Sequence, residues 1–436
     1  MARKNLFRDI AGVFSSNVFA LINALVVSII LTRVLGPEGF GIYSAIIVIP
    51  MVVIALSQLG IRASAIYHIG HDKENIDKNI SGIMMLLLMT SLVGIILASL
   101  AFLITDTQDY SLLMMLLAVL FIPMHLTSLF TGGVFLGKEE IARANFIRWF
   151  PVLMDLIFVL IFVVLLQWRI EGALLAIFSG YFVIAIWSLL TLSRDHIIRP
   201  HFLKPVIIPL VRMGIVFALA VFIIQLNYRI DVLILKSLKG PEEVGFYALG
   251  VSIAEALWQL PLAVGIVVMS RTANTTDHRL MNETTARLLR LSLIVGVLAA
   301  IILFWLAPWI IPFIWTEDFM PSAEILRFIL PGILFMSVFR IISSRLSGMG
   351  KPQIAIYVFL PSLLLNVILN YWWIPEHGSM GAVMATNVSY IIGALVFLWV
   401  YARIVDMPLA RIFTYHKSDF NFIGNLLKRK KKDEQG

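Results

Sequence analysis

The run GIMMLLLMTSLVGIILASLAFLI, Gly82 to Ile104, contains no charged residue. Few environments accept such a stretch. About 20 apolar residues cross the hydrocarbon of a bilayer as a helix. Backbone polar groups in lipid must be satisfied within the chain, which leaves helices or a closed barrel. Strict in/out alternation is absent, which excludes the barrel. Comparable runs recur along the chain, and 60% of the 436 residues are hydrophobic against 14% charged. That is too little polar surface to coat a water-soluble body of this size. With no cysteine, disulfides, thiolate metal sites and cysteine nucleophiles are excluded.

Twelve spans are predicted, near residues 11–32, 41–61, 80–105, 111–136, 147–167, 172–193, 210–235, 245–269, 287–311, 325–347, 354–374 and 380–402. The opening MARKNLFRD resembles a signal peptide. Its apolar run is long and lacks a small-residue cleavage site, so it reads as a retained first span. If the N-terminus is cytoplasmic, 28 of the 34 lysines and arginines fall in inner segments, five in outer ones (Arg33, Arg169, Lys236, Lys239 and Arg327) and one, Arg229, within a span. This satisfies the positive-inside rule and places both termini in the cytoplasm. The net charge of +8 then reports topology, and the basic tail LLKRKKKDEQG reads as attracted to lipid headgroups and not to nucleic acid. Trp149 and Trp168, the group Trp305, Trp309 and Trp315, and the pair Trp372–Trp373 sit at span ends, as headgroup-level rings do.

A connector occurs twice. LGPEGFGIYS (Leu35 to Ser44) and KGPEEVGFYA (Lys239 to Ala248) align at an offset of 204, matching Gly36, Pro37, Glu38, Gly41 and Tyr43 to Gly240, Pro241, Glu242, Gly245 and Tyr247. The first follows span one and the second follows span seven. Weaker echoes match GALLAIFSGY (from Gly172) to GAVMATNVSY (from Gly381), and GKEEIA (from Gly137) to GKPQIA (from Gly350). Two six-helix copies explain the pattern. Six is even, so the copies are parallel repeats, an arrangement that puts a transport site between the halves. The expected division is 1–203 for the first lobe, 204–403 for the second and 404–436 for a basic tail. The connector itself reads as a tight outer hairpin. No nucleotide fold or Walker motif is present, so no cofactor is expected and energy must come from an ion gradient, the membrane potential or the substrate's own gradient.

Ionisable and amide side chains within spans are the site candidates. Arg229 and Asp231 lie in QLNYRIDVLIL and point about 200° apart, so they do not simply pair. Asn227 shares a face with Asp231, and Gln225 shares one with Arg229. The functional reading is a cationic lining plus an ion-sensitive acid; the alternative is a snorkelling arginine with a carboxylate near the outer interface. Arg340 lies on span ten with Ser337 and Ser344, or at its inner end beside Arg345. Glu255 forms a polar stripe with Ser252 and Gln259, where Pro261 is placed to kink the helix. Asp155 is isolated in PVLMDLIFVLI. Asn366 and Asn370 stack one turn apart, and Asn23 occupies the repeat position of Asn227. These asparagines fit a cavity lining or helix-to-helix glue. His125, beside Pro123, fits a proton carrier or a packed ring. None of these sets has metal-ligand spacing or a nucleophile–base arrangement.

Ser15 to Ile61, which contains the first connector, resembles the opening of the polysaccharide biosynthesis proteins. These are O-antigen-type oligosaccharide-lipid flippases of the multidrug/oligosaccharidyl-lipid/polysaccharide exporter superfamily. NYRIDVLILKSLKGPEEVGFYALG, Asn227 to Gly250, is similar to that family's second-half motif, with Asp231 at its usual aspartate. The resemblance implies an all-α polytopic membrane protein of about twelve helices, in two lobes around a central cavity (MATE-like). It also implies alternating access that carries a polyprenyl-diphosphate-linked saccharide to the outer leaflet of the cell membrane. Arg229, Arg340, Asn23, Asn227, Asn366 and Asn370 are then candidates for the substrate cavity. Asp155, Asp231 and Glu255 are candidates for H+ or Na+ coupling. Expected partners are the lipid-linked saccharide, membrane lipids and other polysaccharide assembly proteins. A multidrug or organic-cation antiporter is the main alternative. A lipid II flippase usually has fourteen spans and an Arg-Asp pair inside the first, whereas Arg8-Asp9 here precedes the apolar run. A glycan polymerase or ligase should show a long outer loop, and these are short, so no enzyme is expected.

Overall fold

In the computed structural model, residues 6–71, 75–196, 199–273, 275 and 277–415 are described. Over them the chain forms thirteen α-helices and no strand. These are α1 (Leu6–Ser57), α2 (Ile61–His71), α3 (Ile76–Ile104), α4 (Leu112–Gly137), α5 (Ile141–Val159), α6 (Arg169–Asp195), α7 (Lys204–Lys239), α8 (Pro241–Glu255), α9 (Gln259–Ala273), α10 (His278–Ile314), α11 (Met320–Gly348), α12 (Gln353–Ile404) and α13 (Leu409–Phe413). The basic tail beyond residue 415 and the side chains of Arg8 and Asp9 lie outside the described residues.

Ten helical stretches are long and apolar enough to cross a membrane, the longest being Val18–Gly70 with 53 residues and Gln353–Ile404 with 52. At 1.5 Å per residue each of these two would be about 80 Å long if straight, far more than a hydrocarbon core of about 30 Å. Each instead reverses direction at one glycine, and the first is interrupted again by the turn at Leu59 and Gly60 between α1 and α2. Gly36 takes φ 68° within α1, and Gly378 takes φ 56° within α12. Past Gly378 the chain doubles back, so that Gly381 lies against the Trp373 carbonyl. Gly36 has the same conformation as Gly240, φ 89°, which separates α7 from α8. Ten helical stretches with two such breaks make twelve crossings in two six-helix lobes.

The remaining irregularities have local causes. The α5 crossing ends in a π-helical turn, Leu160–Leu165. Its hairpin with α6 closes at Gly172, where a Cβ would lie 3.0 Å from the Phe162 carbonyl oxygen. This is the repeat partner of Gly381, and both glycines let two antiparallel helices start in contact. Between α8 and α9 a 3₁₀ turn, Ala256–Trp258, precedes Pro261. Proline has no N–H to continue the ladder, so the break falls one turn ahead of it.

The lobes meet mainly through α1, α2 and α3 on one side and α7, α8 and α9 on the other. At the centre the two connectors touch reciprocally. Gly41 lies on the Pro241 carbonyl, and Gly245 lies on the Pro37 carbonyl. Two cationic side chains flank this contact on the connector face. Arg33 of α1 donates to the Ile314 carbonyl at 2.8 Å and 3.1 Å, capping the C-terminal end of α10. Lys236 of α7 pairs with Asp109 at 2.9 Å and donates to the Asp106 carbonyl at 3.0 Å, just past the end of α3. Each cation thus reaches from the first helix of its own lobe to the end of the third helix of the other. Trp315 is 4% exposed and donates to Ser28 Oγ at 3.2 Å. It is a packed inter-lobe residue and not a headgroup anchor, unlike Trp305 and Trp309, which are 68% and 77% exposed.

Candidate functional site

A cavity of about 400 Å³ is lined by Asn23 of α1, Pro151 and Asp155 of α5, Tyr181 of α6 and Gln259 of α9. It therefore sits on the inner wall of the first lobe and touches the second at the α8–α9 break. Gly180 lets α6 approach α5 here, because a Cβ would lie 3.0 Å from the Pro151 carbonyl oxygen. Asp155 is the acid of this cavity. Its Oδ1 is buried with no hydrogen-bond partner among the described residues, and Tyr43 and Tyr181 lie within its electrostatic reach. Asn23 donates to its own helix at the Phe19 carbonyl, 3.1 Å. His125 stacks on Tyr181 at 4.6 Å and 11°, as a packed ring.

A second cluster is built on the facing lobe. Arg229 of α7 pairs with Glu255, the last residue of α8, at 3.0 Å. Arg340 of α11 lies over the Trp258 ring at 4.0 Å and the Tyr228 ring at 5.0 Å. Tyr228 and Trp258 are 5.2 Å apart, and Tyr390 packs edge-on to Tyr228 at 5.9 Å. The Trp258 indole is fixed by donation to the Ile333 carbonyl at 3.0 Å. Arg340 therefore belongs with Arg229, not with Arg345, which instead donates to Asn282 Oδ1. Among the described residues no carboxylate pairs with Arg340. An aromatic face attracts a guanidinium but leaves its charge uncancelled.

The remaining candidates are sealed inside the second lobe. Asp231 is 1% exposed. It accepts from the Tyr247 hydroxyl, from Thr386 Oγ1 at 3.0 Å and from the Val232 amide at 2.9 Å, joining α7, α8 and α12. Asn227 is fully buried, and neither of its amide atoms has a partner among the described residues. Asn366 donates to Ser389 Oγ at 3.2 Å, stitching the two halves of α12 together, and Asn370 donates to Asn366 Oδ1 at 2.9 Å within the first half. The stripe expected from Ser252, Glu255 and Gln259 is divided. Ser252 bonds its own helix, Glu255 turns to Arg229 and Gln259 reaches the cavity. Sequence reasoning passed over Tyr228, Trp258 and Tyr390. The available signal was that Trp258 falls inside a predicted span, where an indole N–H needs a partner.

The sequence matches the polysaccharide biosynthesis protein family over residues 6–272 and the MatE family over residues 217–372. It is 25% identical, over 92% of its length and 99% of the relative's, to an uncharacterized membrane protein of Methanocaldococcus jannaschii. It is 24% identical, over 86% and 93%, to a Shigella flexneri protein named for O-antigen transport. Its fold superposes with TM-score 0.72, at 15% identity and covering 89% and 94% of the two chains, on a multidrug resistance MATE family transporter in its inward-facing conformation. The helices, the two lobes and the family match together show that this chain belongs to the polysaccharide biosynthesis protein family, within the multidrug/oligosaccharidyl-lipid/polysaccharide exporter superfamily of membrane transporters.

Proposed function

We propose that this protein is a flippase for a polyprenyl-diphosphate-linked oligosaccharide, carrying it from the cytoplasmic to the outer leaflet of the cell membrane for surface polysaccharide assembly. The observation that carries this reading is Arg340, a cation inside a spanning helix, presented on Trp258 and Tyr228 with no paired carboxylate among the described residues. Leaving a charge unneutralised in a membrane interior is costly and marks a substrate path. A diphosphate also cannot cross hydrocarbon without donors that replace its water. Two guanidiniums, Arg229 and Arg340, on α7 and α11 supply such donors. The relative named for O-antigen transport, matched over most of its length, supports the same substrate class.

On this reading both termini are cytoplasmic and the connector face is external. Residues 1–203 and 204–403 rock as two lobes, while 404–436 form the tail. Anionic charge moving outward is favoured by a cell interior that is negative, by about 2.3 kcal/mol per charge per 100 mV. Asp155, with an unpartnered oxygen buried at a cavity, is the candidate through which H+ or Na+ returns. Asp231, enclosed by its three donors, holds helices together and does not exchange ions. The same Asp155 cavity favours the second reading, an organic-cation antiporter.

The reading is tested in a bacterium whose own O-antigen-type flippase is deleted and whose surface saccharide this chain restores. Arg340→Ala at normal protein level should lower export tenfold or more, since a charge-assisted hydrogen bond contributes about 1.5–3 kcal/mol. Export at the unsubstituted level would remove the cation site from the mechanism.

A further inference from the structure

Glu255 is a half-used carboxylate. Oε2 holds Arg229 at 3.0 Å, while Oε1 is buried with no partner among the described residues. A carboxylate kept to cement a fold has both oxygens occupied, as those of Asp231 are. The pair is also only partly enclosed, with side-chain exposures of 34% for Arg229 and 17% for Glu255. The phenols of Tyr228, Tyr247 and Tyr390 lie within electrostatic reach of Glu255 and are weaker partners than a guanidinium. Glu255 is, moreover, the last residue of α8. The helical ladder gives way there to the 3₁₀ turn that carries Trp258, the ring under Arg340. One short irregular segment thus holds both the anion on the first arginine and the platform of the second. Such breaks move more readily than helix interiors.

We infer that Glu255 is a built-in counter-anion, a stand-in that occupies Arg229 in the unloaded carrier and gives way to a phosphate oxygen when an anionic substrate enters. This rests on the anionic-substrate reading above and adds to it a specificity-determining role for Glu255. The exchange replaces one anion by another, so Arg229 is never left buried and bare, which is the costly state for such a pair. A neutral or cationic molecule cannot displace Glu255, because it offers Arg229 no acceptor of equal charge. The carboxylate thereby selects for anions while competing with them. The movement of its 3₁₀ turn carries occupancy at Arg229 to Trp258 and so to Arg340.

The test uses the full-length protein in lipid nanodiscs, with farnesyl diphosphate as the probe and binding measured by calorimetry. Glu255→Gln keeps the shape and removes the competing charge, and should tighten binding about tenfold. Glu255→Asp keeps the charge but withdraws it by about 1.5 Å, and should tighten binding by less. Both gains should vanish in an Arg229→Gln background. If Arg229→Gln weakens binding but neither Glu255 variant tightens it, Glu255 is a structural partner and the counter-anion role is overturned, while the anionic site stands. If the unsubstituted protein and Glu255→Gln both fail to bind, or if neither Arg229→Gln nor Arg340→Gln weakens binding, the anionic-substrate reading falls and the counter-anion with it.

Discussion

Two buried polar residues on α7, one turn apart, have opposite energetics. Asp231 has three donors and ties together three helices. Asn227 is equally enclosed and has none among the described residues. An unsatisfied buried polar group costs about 1–3 kcal/mol, whereas removing one partner of a satisfied set strands the others. Asn227→Leu should therefore leave the thermal midpoint of the purified protein unchanged or raise it. Asp231→Ala should lower it, by an amount equivalent to about 1–3 kcal/mol for each stranded donor. A drop for Asn227→Leu as large as that for Asp231→Ala would show that the amide is bonded after all. The sequence places Asn227 and Asp231 on one helix face and Gln225 and Arg229 on another, and the structure keeps that grouping. It could not say which face meets a cavity, because that depends on neighbours that are remote in the chain. Arg340 was ambiguous for the same reason. Its depth is fixed by Trp258 on α9's approach and Tyr228 on α7, which no local pattern connects.

Glycine acts in two distinct ways in the duplicated connector. Gly36 and Gly240 have positive φ, and the space where a Cβ would stand is open to 4 Å, so their role is conformational. Gly41 and Gly245 are helical and lie on the Pro241 and Pro37 carbonyls, so theirs is contact between lobes. Gly36→Ala should cost about 1–2 kcal/mol from the backbone alone. Gly41→Ala or Gly245→Ala must separate two backbones in contact, and should lower the thermal midpoint further and reduce the yield of folded protein. Equal effects at Gly36 and Gly41 would deny the inter-lobe contact. The offset of 204 in the sequence marked these positions as equivalent, and the connector read as a hairpin. That the two copies meet each other was not legible, since equivalence along a chain does not say that the symmetry axis passes between the copies. The 3₁₀ turn at Ala256–Trp258 was foreseen only as a kink at Pro261.

At the scale of the whole molecule the connector face is closed by the central glycine–proline contact and by Arg33 and Lys236 on either side. A cavity of about 400 Å³ matches a small-molecule headgroup and not a whole lipid-linked oligosaccharide. The lobes must spread to pass one. With no cysteine in the sequence, a spin-label pair at Gln108 and Asp318, on opposite lobes of the connector face, reports that motion directly. Arg33→Ala combined with Lys236→Ala should shift the distance distribution toward longer separations. An unchanged distribution would mean that the two cations do not hold the face shut. Composition, span count and the parallel duplication were readable in advance because lipid constrains every crossing helix in the same way. The pairing of cations across lobes was not, because Arg33 and Lys236 read only as outer-segment charges.

The central claim, that this carrier moves a diphosphate-linked lipid past a cationic site, is tested most directly in sealed vesicles containing the purified protein. A fluorescent prenyl-diphosphate sugar and a cationic dye are followed in parallel, with and without Arg340→Ala. Transfer of the diphospholipid between leaflets, slowed tenfold or more by Arg340→Ala, with the dye left behind, is the predicted result. Movement of the dye alone, or diphospholipid transfer indifferent to Arg340, would contradict it.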